Sequence, residues 1–324
     1  MNDYLWDRTG DDPDVARLEA LLEPLALPRE PGVAPMLRRL RGQKRTRWVL
    51  LGAAAAAAVL AAVYLRPAPG PAYDVTRIAG TPRVGARPLE GDGRWRTGEW
   101  LETDGTSRAM VRVGALGEME VGPATRVRLL RATPDEHRLA LERGRLQAVV
   151  TAPPRLFLVE TPAALAVDLG CAYTLDVRPG GDGWLHVSAG AVSLEGSAAI
   201  SYVPAQASCS LRAARGPGVP VFDDVAPEIA MALERLDHGD VADLERLLVR
   251  TRPRDTLTLW HLLPRTHGAT RARVLDRIEA LVPGGPDRTA TLALEASVLQ
   301  AWLERLRPIW WMGAPPAKLK KVAP

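Results

Sequence analysis

The residues best able to ligate a metal, attack a carbonyl or move a proton near neutral pH are five histidines and two cysteines. Their spacing assembles none of these chemistries. Cys171 and Cys209 stand alone, so no cysteine pair has metal-ligand spacing. Pro264 lies between His261 and His267, which keeps the two rings off one helix face. His186 falls on the polar side of an alternating run and reads as a solvated strand residue. Asp237-His238-Gly239-Asp240 reads as a helix-to-helix turn, with Gly and Asp supplying the break and the cap. There is no Gly-x-Ser-x-Gly elbow, no Gly-x-x-x-x-Gly-Lys phosphate loop and no Gly-x-Gly-x-x-Gly fingerprint. The expectation is a chain with no catalytic residue, no metal and no cofactor.

Function then depends on how the chain is divided. From Trp48 to Leu65 eighteen residues carry no charge, and six of them form the run Ala53 to Ala58. As a helix this segment extends about 27 Å, close to the hydrocarbon thickness of a bilayer. Length alone also admits a buried soluble helix, but the flanks argue against it. Arg38, Arg39, Arg41, Lys44, Arg45 and Arg47 crowd the N-terminal side, whereas the next basic residue after Arg66 is Arg77. This asymmetry places the N-terminus in the cytoplasm, with Trp48 and Tyr64 as interfacial anchors. A cleaved signal peptide does not fit, because its charged leader would be over forty residues long. The net charge is only +4, and those six flanking residues account for much of the basic excess, so no direct nucleic-acid partner is expected.

Residues 1–47 begin acidic and end basic. Asp12-Pro13 is a helix start, and Val15, Leu18, Leu22 and Leu25 recur on one face before Pro24, Pro28, Pro31 and Pro35 interrupt. A stripe this small cannot form a core. Two readings stand: a disordered tail with nascent helicity, or a docking helix that folds on a cytoplasmic partner with Tyr4, Leu5 and Trp6 as further anchors. Residues 66–72 are a stiff Pro-rich linker.

Over residues 73–212 the rhythm is period two. Thr125, Val127 and Leu129 alternate with Arg126 and Arg128; Leu139 and Leu141 repeat the pattern, as do Leu185 and Val187. Short alternating runs broken by Gly and Pro describe an all-β sandwich or roll. After a linker at 213–224, residues 225–324 return to helical spacing. Val241, Leu244 and Leu248 form one face, Val274, Ile278 and Leu281 another, and Leu292, Ala296, Leu299, Leu303 and Leu306 a third. This predicts a bundle of four or five helices. Trp310-Trp311, followed by Lys318, Lys320 and Lys321, is a candidate interaction tail for a partner or anionic headgroups; the alternative is that it packs back on its own domain. In an oxidising compartment Cys171 and Cys209 could pair, or both remain buried thiols.

An ordered series of fragments in the β region resembles the FecR-type periplasmic signalling domain. It comprises Gly98–Val113, Glu120–Leu129, Leu139–Leu146, Phe157–Pro162, Val167–Leu175 and Val187–Leu194. The chain departs from that family at Gly170-Cys171-Ala172-Tyr173, where the family has Gly-Thr-x-Phe, and at Leu116-Gly117-Glu118, where it has Asp-Gly-Ser. The resemblance implies an inner-membrane anti-sigma regulator of a bacterium, with a cytoplasmic sigma factor as partner and an envelope or outer-membrane protein as signal. Here the cytoplasmic segment contains no Cys and no His, which excludes a zinc-binding anti-sigma module. The other reading is an anchored envelope scaffold whose β and helical domains bind a periplasmic protein or polysaccharide, with no sigma partner.

Overall fold

Period-two burial organises residues 72–222. The computed structural model describes Arg17, residues 72–237 and residues 244–311. The chain divides into two units, Met1–Ala68 and Pro69–Pro324, and all described residues except Arg17 belong to the second. Among the described residues no helix is long and apolar enough to cross a membrane. The uncharged run at 48–65 and the Val15, Leu18, Leu22, Leu25 stripe lie outside them.

The second unit is mainly β structure followed by helices. Its strands are β1 (Ala72–Ala79), β2 (Arg83–Val84), β3 (Arg87–Pro88), β4 (Asp92–Arg96), β5 (Trp100–Glu102), β6 (Arg108–Val113), β7 (Gly117–Val121), β8 (Arg126–Thr133) and β9 (Glu136–Val150). Then come β10 (Phe157–Glu160), β11 (Leu165–Asp168), β12 (Cys171–Val177), β13 (Gly183–Ala189), β14 (Ala191–Glu195), β15 (Ile200–Pro204), β16 (Ala207–Arg212), β17 (Gly216–Pro217) and β18 (Val221–Phe222). Residues 213–224, read from sequence as a linker, thus contribute two short strands that pair with β16.

One long strand joins two sheets. The first half of β9 lies between β8 and β10, antiparallel to one and parallel to the other. Its second half lies between β7 and β12. The first sheet runs β4-β1-β6-β7-β9-β12-β13-β16; the second runs β3-β2-β5-β8-β9-β10-β11-β14-β15. The burial phase of β9 changes where it passes from one sheet to the other: Leu139 and Leu141 are buried in the first half, Leu146, Ala148 and Val150 in the second. A phase change needs an extra residue and a bend. Gly144 supplies the bend at φ +98°, packed directly over Thr125. Trp95, Leu101, Met119, Leu129, Leu175 and Leu185 fill the interior, each without solvent exposure.

The helices are α1 (Pro227–Asp237), α2 (Leu244–Arg250), α3 (Thr256–Leu262), α4 (Gly268–Leu281), α5 (Arg288–Leu292) and α6 (Ala296–Trp310). The expected apolar faces are buried at Leu244 and Leu248 on α2 and at Val274 and Ile278 on α4. The third stripe is not one helix. Leu294 has φ +60°, and the chain restarts at Glu295, so Leu292 ends α5 while Leu299, Leu303 and Leu306 belong to α6. Asp287 caps α5 by accepting a hydrogen bond from the Ala290 N–H at 2.7 Å. Trp302 anchors the pair: its Nε1 donates to Thr291 Oγ1 at 3.1 Å, and its ring is fully buried.

Candidate functional site

The outer strand β15 has backbone groups that a neighbouring strand would otherwise satisfy, and the helices occupy that place. The Tyr202 N–H donates to His261 Nε2 at 2.9 Å, while His261 Nδ1 is 2.8 Å from the Leu257 carbonyl oxygen. Because Nε2 accepts, the proton belongs on Nδ1, which donates to that carbonyl. The ring is completely buried, and burial lowers the His261 pKa to about 3. Arg265 completes the clasp, donating to Ser201 Oγ at 2.9 Å and to the Pro217 and Gly218 carbonyls at 3.1 Å each. Arg252 bridges Asp224 and Asp255 just before α3, which holds its guanidinium above the usual range.

Trp310, named with Trp311 as a candidate interaction tail or else as packing back on its own domain, is a core residue. It is only 2% exposed, and its Nε1 donates to Thr256 Oγ1 at 3.0 Å. The sequence could not separate the two tryptophans because the last turn of α6 sends one ring inward and its neighbour outward. Replacing Trp310 by Phe removes that donor and part of the ring volume. We expect urea denaturation to show a loss of about 1–2 kcal/mol.

Trp311 does meet solvent, at 48% exposure. The Arg307 guanidinium lies 5.6 Å from its ring centroid and 5.9 Å from that of Tyr202, and the Tyr202 ring is 6.2 Å from Trp310. Glu304, Arg307, Pro308 and Trp311 line an open cavity of about 360 Å³. The buried Tyr202 Oη makes no hydrogen bond of ordinary geometry among the described residues, and burial raises its pKa. A second groove, of about 680 Å³, runs between α1 and α2 beside the exposed Met231 and Val249. Glu228 pairs with Arg250 across it, and Glu245 pairs with Arg273 of α4 outside it.

The Cys171–Cys209 disulfide is not formed; both thiols are free and buried. Strand register explains why. Leu175 of β12, Leu185 of β13 and Cys209 of β16 lie in one row, so Cys171 is four residues along and two strands away. That separation is on the order of 15 Å, well beyond disulfide reach. Cys171 instead lies at the β11–β12 corner beside Asp168, whose Oδ1 accepts from the Gly170 N–H at 2.5 Å. Asp168 is 1% exposed, its Oδ2 has no partner among the described residues, and burial raises its pKa to about 6. Burial also pushes the Cys171 and Tyr173 groups far up, so neither ionises near neutral pH.

Tyr4, Trp6, Val15, Leu18, Leu22 and Leu25 lie outside the described residues, as do His238, Gly239 and Asp240. His186 is not simply solvated: its Nε2 is 2.8 Å from Asp223 Oδ2. His267 is exposed at the start of α4, remote in role from the buried His261. Among the described residues no group of three His, Cys, Asp or Glu side chains is placed to hold a metal ion. Sequence reasoning missed His261, Arg265 and Asp168. The signal for His261 was its place among Leu257, Trp260 and Leu262, a polar residue inside an apolar helix segment.

No protein-family model matches the chain, and no curated protein matches it. Two solved structures, each provisionally described as an anti-sigma factor from Parabacteroides distasonis ATCC 8503, are similar to part of it. They are 16% and 15% identical, cover 46% of this chain and 73% and 74% of their own, and have TM-scores of 0.35 and 0.34. At those scores the likeness carries no argument about function.

Proposed function

We propose that this chain is a membrane-anchored signalling protein. Its β body and helical layer receive an envelope signal, and its N-terminal tail regulates a cytoplasmic sigma factor. The observation that carries the reading is one of order. The six FecR-resembling fragments fall on β5–β6, β7–β8, β9, β10, β11–β12 and β13–β14 in succession, within one body. That body follows a single uncharged run with a basic flank on its N-terminal side. The mechanism is a population shift: a partner that binds one state of the body changes the tail's affinity for its target by the same coupling. No step of this account requires covalent chemistry.

The groove between α1 and α2, with Met231 51% and Val249 76% exposed, favours a second reading. In it the chain is an envelope scaffold whose body binds a protein or polysaccharide and whose tail is inert. Capture experiments with the full chain separate the two. Solubilised from membranes, it should retain one sigma factor, and the double change Leu18→Asp and Leu22→Asp should reduce retention by about tenfold or more. If neither form retains a sigma factor, the scaffold reading replaces the signalling one.

A further inference from the structure

The corner between β11 and β12 buries a carboxyl group with no cation to balance it. Asp168 is 1% exposed; its Oδ1 accepts the Gly170 N–H, and its Oδ2 has no partner among the described residues. From β12 it meets the Cys171 thiol and the Tyr173 phenol, both protonated near neutral pH. On β14 the residue in register is Val192, and the Leu158–Val167 pair sets Phe157 of β10 opposite Asp168. The same row reaches His137 of β9, two strands and roughly 10 Å away. Its Nδ1 is 2.6 Å from the Tyr73 hydroxyl, and burial lowers its pKa, so the ring is neutral at pH 7. Glu160 of β10 and Glu195 of β14 are paired with Arg138 and Arg155.

The connection from β9 to β10, residues 151–156, lies along this corner. The Arg155 N–H donates to the Asp168 carbonyl oxygen at 3.0 Å, and the Thr151 N–H to that of Leu116 at 2.7 Å. Ala152 is buried, and its carbonyl oxygen is 3.5 Å from where a Cβ on Gly170 would stand. Arg155 holds φ +70°, a left-handed conformation that a non-glycine residue keeps only where its surroundings enforce it. Its guanidinium is bound to Glu195 at 2.7 Å. Pro153 and Pro154 have no N–H to tie the segment down further. A strained, lightly bonded segment thus covers a carboxyl whose Oδ2 cannot carry charge until water or a cation reaches it.

We propose that residues 151–156 are a proton-operated latch over the Asp168 corner, closed while the carboxyl is protonated and opened when it ionises. A neutral acid needs no counter-ion, so the closed corner suits it. The anion demands hydration, and lifting the segment that bonds the Asp168 backbone admits water to the side chain. Burial raises the Asp168 pKa from 3.8 to about 6, so opening increases between those values and levels off above them. The proton then becomes a signal that the β body reads by itself. The latch depends on neither the anchor nor the tail.

Hydrogen exchange on the full chain, read by mass spectrometry and corrected for the pH dependence of intrinsic exchange, tests the latch. Amides of residues 151–157 and 169–171 should lose about tenfold in protection from pH 5 to pH 7 as Asp168 ionises. Asp168→Asn should hold the same protection at both, and the amides of β13, inside the first sheet, should not follow the loss. Unchanged protection at 151–157 in the native chain overturns the latch, as does a tenfold loss that persists in Asp168→Asn. An equal loss in β13 also overturns it, by showing that Asp168 acts only on the stability of the whole body. If Asp168→Asn fails to fold, the native titration decides. The loss must level off near pH 7, and a loss that continues to grow toward pH 8 overturns Asp168 as its cause.

Discussion

Gly144→Ala should lower the stability of the β body by about 3–5 kcal/mol, the sum of backbone strain and a steric clash. The residue has φ +98°, which an L side chain rarely adopts. A Cβ there would lie 2.2 Å from Thr125 Oγ1 and 2.3 Å from Thr125 Cα. Thr125 cannot yield easily, because its Oγ1 accepts the Arg145 N–H at 2.9 Å and its own N–H donates to Thr103 Oγ1 at 2.9 Å. The control is Gly98→Ala. Gly98 has a similar φ of +91°, but a Cβ there meets nothing within 4 Å. Strain alone should then lower stability by about 1–2 kcal/mol. Urea midpoints for the two variants distinguish the contributions, and equal losses would show that Gly144 is not the hinge between the sheets.

The same residue shows how far the sequence could be read. Alternation at Thr125 to Leu129, Leu139 to Leu141 and Leu185 to Val187 is enough to predict buried strands, and all seven of those apolar-side residues are buried. It does not predict that β9 continues through Arg143-Gly144-Arg145, since a glycine between two arginines looks like a turn. Here the signal for a turn and the signal for a bent strand are identical. The break in the third helical stripe was hidden for a related reason: Leu294 adopts φ +60° with no Gly or Pro to mark it. The candidate surface was half legible. Trp311 stands out by type, but the inward course of Trp310 depends on where α6 packs. His261 reads as an ordinary polar residue until β15 is placed beside it.

Two buried groups make opposite predictions about acid. His261 has its folded-state pKa depressed from 6.5 to about 3. Its contribution is complete above pH 6.5 and is lost as pH falls, because the unfolded chain takes up a proton that the clasp refuses. Asp168 is the reverse, raised from 3.8 to about 6. Its contribution is complete below pH 3.8 and is lost as pH rises through 6, because the folded corner must finally accept a charge. Between about pH 4 and 6 the two slopes oppose one another at about 1.4 kcal/mol per pH unit each. We therefore expect the two effects to cancel in the native chain. Asp168→Asn should expose the histidine slope, losing about 2 kcal/mol relative to the native chain from pH 6 to pH 4. His261→Gln should expose the opposite slope over the same window. Measuring each variant against the native chain at every pH cancels the contribution of other carboxylates. Parallel curves for all three proteins would mean that neither group is buried as described.

These groups also locate the rigid part of the molecule. The histidine clasp and the Arg265 fork bind α3 and the turn after it to the sheet edge, while Trp310 ties α6 to α3, so the β region and helical layer hold together.

Under the proposed function, residues 1–36 act on transcription. The direct measurement compares transcript profiles of cells carrying the full chain with cells carrying a deletion of residues 1–36 that retains Arg38 to Arg47. The expected change is confined to genes that share one sigma factor's promoters, with the deleted protein still present in the membrane. An unchanged profile, with the protein present at normal abundance, would contradict it and leave the envelope-binding body as the whole of the function.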